Sequence, residues 1–232
     1  MTTALADFTT RILTVLNDPS AGRYLQTMTD EALKRALIEY SKANPLFDNQ
    51  VISVLAAGRD FAITAEPRFQ TVYRVIHPYD ATQDYEPQLN SAGRMIDQPA
   101  VREDYYVYFN NGAPYLHLSG YDIPAVGDSI MVYYTIGQSI LNLDAAAVTT
   151  VQLEHEPMLV MGAAAHAAQN LANVQGTFPD MSKLKLWADT QEANYALWCA
   201  NLSKRSSRLA GPIASAYWKL DKWDGSGWRS RE

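Results

Sequence analysis

Glu154-His-Glu-Pro-Met-Leu-Val-Met-Gly-Ala-Ala-Ala-His-Ala167 is the stretch on which the fold turns. Pro157 suits only the first turn of a helix, so the segment predicts a helix starting near 154–156 and running to about Ala172. Its small residues, Gly162 to Ala165 with Ala167 and Ala168, keep that helix thin enough for another helix to approach closely. The turn at 173–180 contains Gly176 and Pro179. Beyond it, Leu184, Ala188, Gln191, Tyr195, Trp198 and Leu202 recur at steps of four and three, the stripe of a second helix. Gly211-Pro212 breaks that helix past Arg208.

Upstream the period is different. Val51–Leu55, Thr71–Ile76, Tyr105–Phe109, Tyr115–Leu118 and Ser129–Ile136 are rich in β-branched and aromatic residues, which predicts a strand meander. Asn110-Asn111-Gly112 supplies a hairpin turn, because Asn and Gly tolerate positive φ. The polar stretch 78–99 reads as a long loop. Still further upstream the helical period returns. Leu5, Phe8, Ile12 and Val15/Leu16 mark one helix, stopped by Asn17-Asp18-Pro19-Ser20. Leu33, Leu37 and Tyr40 mark another, with Thr29 as its expected N-cap, Asp30 and Glu31 in its first turn, and Asn44-Pro45 at its end.

The expected fold is therefore α+β. It is an antiparallel helical bundle of two N-terminal plus two C-terminal helices, with an inserted antiparallel β-module and an extended C-terminal arm. The expected boundaries are 1–46 for the first helix pair, 47–145 for the β-module, 146–208 for the second pair and 209–232 for the arm.

Charge divides the chain in the same place. The 232 residues carry a formal charge of −6. From Ser203 onwards seven Lys/Arg face three Asp/Glu, a local +4, which leaves −10 on the rest. Such a body excludes a protein that grips nucleic acid through a general basic surface. Three of the five tryptophans also lie in the tail. Tyr217, Trp218, Trp223 and Trp228 are interface-anchor residue types, and Lys219, Lys222, Arg229 and Arg231 can steer them towards acidic groups. The tail lacks a helical period and is too short to bury a core of its own. The expectation is an arm that orders on a partner.

Other chemistry is sparse. Cys199 is the one cysteine, so neither an internal disulfide nor a thiolate cluster can form within one chain. The first residues show no signal-peptide pattern, and no run of about 18 apolar residues predicts a membrane span. His155 and His166 would share one helical face but lie about 16 Å apart along it, too far to share a metal. Glu154 and Glu156 read as a carboxylate cluster at a helix start. No Gly-x-Ser-x-Gly, Walker A, Rossmann or His-Glu-x-x-His pattern is present. The expectation is no enzyme, no cofactor and no metal; a hydrolase around Glu154 and His155 is the enzymatic alternative. Tyr105, Tyr106, Tyr108, Phe109, Tyr115, Tyr121, Tyr133 and Tyr134 offer another, a carbohydrate-binding module on a virion or cell surface. Ordinary cross-strand aromatic pairing accounts for the same residues.

The order of elements resembles the head–tail connector (adaptor) proteins of tailed bacteriophages. The resemblance rests on Asp7–Asn17, Met28–Ser41, Gly127–Tyr134 and Glu154–Ala167, and covers most of residues 5–205. It implies a non-enzymatic virion protein of the neck, present in the host cytoplasm during assembly. It implies a ring, commonly of twelve copies, that joins the portal protein to a stopper or tail-completion protein. DNA would pass through the lumen during packaging and ejection without specific binding. It implies no membrane partner, and that residues 209–232 are the arm that reaches the portal.

Overall fold

A computed structural model describes residues 3–63, 68–82, 101–102, 104–120, 122–174 and 179–209. The helices are α1 (Leu5–Val15), α2 (Gln26–Ala43), α3 (Glu156–Val174) and α4 (Pro179–Leu209). The strands are β1 (Leu46–Ser53), β2 (Asp60–Ala62), β3 (Phe69–Ile76), β4 (Val101–Arg102), β5 (Tyr105–Asn110), β6 (Ala113–Leu118) and β7 (Ser129–Ile136).

This architecture corrects the expected fold class. The chain is mixed α/β, and its strands form two sheets instead of one antiparallel meander. One sheet has the order β1-β7-β3-β4 and the other β2-β6-β5. The physical reason is that turn chemistry encodes neighbours only. The β5–β6 hairpin closes at Asn111 (φ 51°) and Gly112 (φ 80°), as its turn residues dictate. The β3–β7 pairing joins strands separated by about half the β-region, and no local signal announces it.

The helices are likewise not organised as two N-terminal plus two C-terminal partners. The Ala-rich α3 is the common centre, and α1, α2 and α4 all pack on it. Both α1 and α2 meet α3 more extensively than they meet each other. An alanine face lets three neighbours approach one axis, which pairing by sequence order does not anticipate. The extended arm belongs to residues outside those described.

The chain divides into two compact units. The helical unit comprises residues 3–46 and 137–209, and the β unit residues 47–136. In the helical unit Phe8, Ile12, Leu33, Tyr40, Leu159 and Tyr195 form a core with no exposed surface. Residues 137–155 complete it, with Ile140, Leu143 and Val151 buried against the helices. That segment is tied down by backbone N–H groups. Gln138 donates to Ser41 Oγ (2.9 Å), Ser139 to Thr150 Oγ1 (2.8 Å) and Leu141 to Thr149 Oγ1 (2.8 Å). In the β unit, Phe61, Leu116 and Leu118 from one sheet share a core with Val72, Val75, Ile130 and Val132 from the other.

Thr29 is not an N-cap. Helix α2 begins three residues earlier with Leu25 at the cap position, and buried Thr29 donates its hydroxyl to the Gln26 carbonyl at 2.8 Å. Met28 packs on the core beside Tyr24 and Leu171, and this contact extends the helix backwards beyond the polar signal. Asp18 has a larger role than stopping α1. It accepts the backbone N–H groups of Gly22 (3.0 Å), Arg23 (2.7 Å) and Tyr24 (3.0 Å), which fixes the α1–α2 turn. Those bonds, Arg23 and Tyr24 foremost, hold its carboxyl below the usual aspartate range.

Candidate functional site

The expected arm residues Tyr217, Trp218, Lys219, Lys222, Trp223, Trp228, Arg229 and Arg231 lie outside the described residues. The remaining candidates fall into three places.

The first is the start of α3. His155 directly precedes the helix, and its Nδ1 lies 2.8 Å from the Tyr40 hydroxyl, which also accepts from Asn44 Nδ2 at 3.0 Å. Trp198 stacks on Tyr40 (centroids 5.8 Å apart) and meets His155 edge-on (5.3 Å). Burial pushes the His155 imidazole below its ordinary pKa. Glu156 is almost fully buried and paired with Arg11 at 2.6 Å. Of the expected carboxylate cluster, Glu156 is thus committed to a helix–helix ion pair and His155 to an aromatic box. Sequence reading missed Tyr40, Asn44, Trp198 and Arg11 as partners, because they come from three other parts of the chain.

The second is the middle of α3. His166 has no exposed surface. Its Nε2 lies 3.3 Å from Glu39 on α2 and its Nδ1 3.7 Å from Glu192 on α4. Arg35 bridges the same two carboxylates, at 3.6 Å to Glu39 and 3.1 Å to Glu192. Gln169 donates to Asp189 (3.1 Å) and to Glu192. Desolvation lowers the His166 pKa, opposed by Glu39. The i,i+4 spacing of Arg35 and Glu39 was the one sequence signal for this network. His155 and His166 thus both face α2 and α4 but serve separate clusters. Among the described residues no group of three or more His, Cys, Asp or Glu side chains is placed to hold a metal ion.

The third is the outer face of the β2-β6-β5 sheet. Tyr106 pairs across the strands with His117 and Tyr108 with Tyr115. Their rings stack at 4.5 Å and 5.5 Å between centroids. Asp60 accepts from the Tyr108 hydroxyl (3.1 Å) and lies 2.8 Å from His117 Nδ1. The hydrogen bond with His117 is the main cause of the lowered Asp60 pKa. Each stacked pair turns one ring face of each member towards the other, so those faces are spent on cross-strand pairing and are not presented to a sugar ring.

Both units leave large apolar side chains on regular elements exposed. In the helical unit these include Ile38 on α2 and Leu186 and Leu197 on α4. In the β unit they include Phe47 and Val51 on β1 and Tyr106 and Phe109 on β5. Scattered exposed apolar residues are normal, but repeats on one element are the mark of a surface made to be covered. Among the described residues no helix is long and apolar enough to cross a membrane. No protein-family model matches the chain, and no curated protein matches it.

Proposed function

We propose that this chain is a structural subunit of a tailed-phage neck, a head-to-tail connector that assembles as a ring between the portal and the stopper or tail. The observation that carries the reading is the set of exposed apolar residues on regular elements of both units, on α2, α4, β1 and β5. A subunit that meets neighbours on several sides needs more than one such surface. The charge division supports the same reading. A body at −10 repels phosphate and lets DNA slide past, while a basic, Trp-rich terminus provides the attachment to the portal.

The test is truncation after Leu209. The shortened chain is expected to fold, because the helical core is complete without residues 210–232. It is expected to lose attachment to the portal of the same virion in a co-sedimentation assay. Full attachment by the shortened chain would refute the arm.

A further inference from the structure

Helix α4 has a second apolar face, directly opposite the one that packs on α3. Tyr195 marks the buried side, with no exposed surface. At about 100° per residue, Leu186, Ala193 and Leu197 fall within about 20° of the opposite side. Leu186 is 69% and Leu197 62% exposed, and Ala193, Ala196 and Ala200 are exposed with them. A solvated helix face normally carries charge at such positions. From Leu186 to Ser203 the only charged residues are Asp189 and Glu192, and Glu192 is turned inward to Arg35 and His166.

We propose that this face is the contact for a second copy of the chain, formed by antiparallel pairing of α4 with α4 about a two-fold axis between Ala196 and Leu197. The register follows from size and charge together. It sets Leu197 beside the partner's Ala196 and Ala193 beside the partner's Ala200, so each leucine meets a small residue and the helices approach closely. The same register sets Asp189 opposite the partner's Lys204, twice by symmetry, and brings no like charges together. The contact is isologous and uses one helix face, so it lies below the roughly 1,200 Å² of a standard interface and makes a weak dimer.

The experiment is sedimentation velocity on the full chain from about 5 to 500 µM, where a weak dimer populates. The expected result is a concentration-dependent monomer–dimer equilibrium. Leu197→Glu is expected to raise the dissociation constant at least about tenfold, with the melting temperature of the dilute protein unchanged. Ala193→Arg is the second variant, should Leu197→Glu fail to fold. Asp189→Lys is expected to weaken pairing several-fold, and Asp189→Lys with Lys204→Asp to restore it. A monomer at every concentration overturns the proposal, as does a dimer indifferent to Leu197→Glu and Ala193→Arg. A double charge swap that does not restore pairing overturns the antiparallel register. None of these outcomes bears on the connector reading, which is measured through residues 210–232 and the portal.

Discussion

Gly162→Ala tests how α4 is seated on α3. A methyl group at Gly162 would lie 2.7 Å from Cγ and Cδ1 of Tyr195 and 2.8 Å from its Cδ2. Carbon atoms in contact normally sit about 3.5–4.0 Å apart, so the overlap is close to an ångström. The ring has little room to retreat. It has no exposed surface, its hydroxyl donates to the Ala36 carbonyl at 2.7 Å, and it stacks on Trp198 at 5.8 Å. Overpacking of this kind costs about 1–3 kcal/mol. Losing the hydroxyl bond adds about 1 kcal/mol. The better helix propensity of alanine returns about 1 kcal/mol. The net expectation is a loss of about 1–3 kcal/mol in urea unfolding. A double-mutant cycle sharpens it: in a Tyr195→Ala background the clash is gone, and Gly162→Ala should become stabilising. The reasoning is refuted if Gly162→Ala stabilises the otherwise native protein.

Three further outcomes follow from the same structure. Asp18→Ala should lower the melting temperature more than Asp18→Asn, which keeps one acceptor oxygen for the turn amides; equal effects would mean that the amides are satisfied otherwise. Because its folded pKa is depressed, the stability Asp18 supplies is present above about pH 3.8 and is lost as pH falls through the folded value. His155 and His166 both have pKa values below the ordinary 6.5, so the folded state prefers them neutral. Stability should therefore decline as pH falls below about 6.5, with a slope that flattens in His166→Gln; a urea midpoint unchanged between pH 7.5 and 5 would contradict this. Arg11→Met leaves the buried Glu156 carboxylate unpaired and should cost about 1–3 kcal/mol, less than a fully buried pair because Arg11 is partly exposed. Arg11→Met with Glu156→Gln should recover part of that loss, as read by urea unfolding.

What was legible in the sequence was the face each element buries. The Leu184-to-Leu202 stripe does turn inward, with Ala188 and Tyr195 fully buried along it. The small residues of α3 do admit a close neighbour, since the Tyr195 ring rests on Gly162. Asn111-Gly112 does close a hairpin. What escaped was the identity of partners. Periodicity states that a side is apolar but not which element covers it, so the division of the strands into two sheets and the central place of α3 were hidden. The His166 network escaped for the same reason: Arg35, Glu39, His166 and Glu192 meet only when three helices converge. The outer α4 stripe was legible in principle, since Leu186, Ala193 and Leu197 repeat at steps of seven and four. The stronger inward stripe masked it.

The central claim is that the chain builds a ring at a portal. Electron-microscopic class averages of the full chain mixed with the portal of the same virion test it most directly. The account predicts a ring with an open central channel seated on the portal. Portal particles that stay bare in the presence of excess folded chain would contradict it.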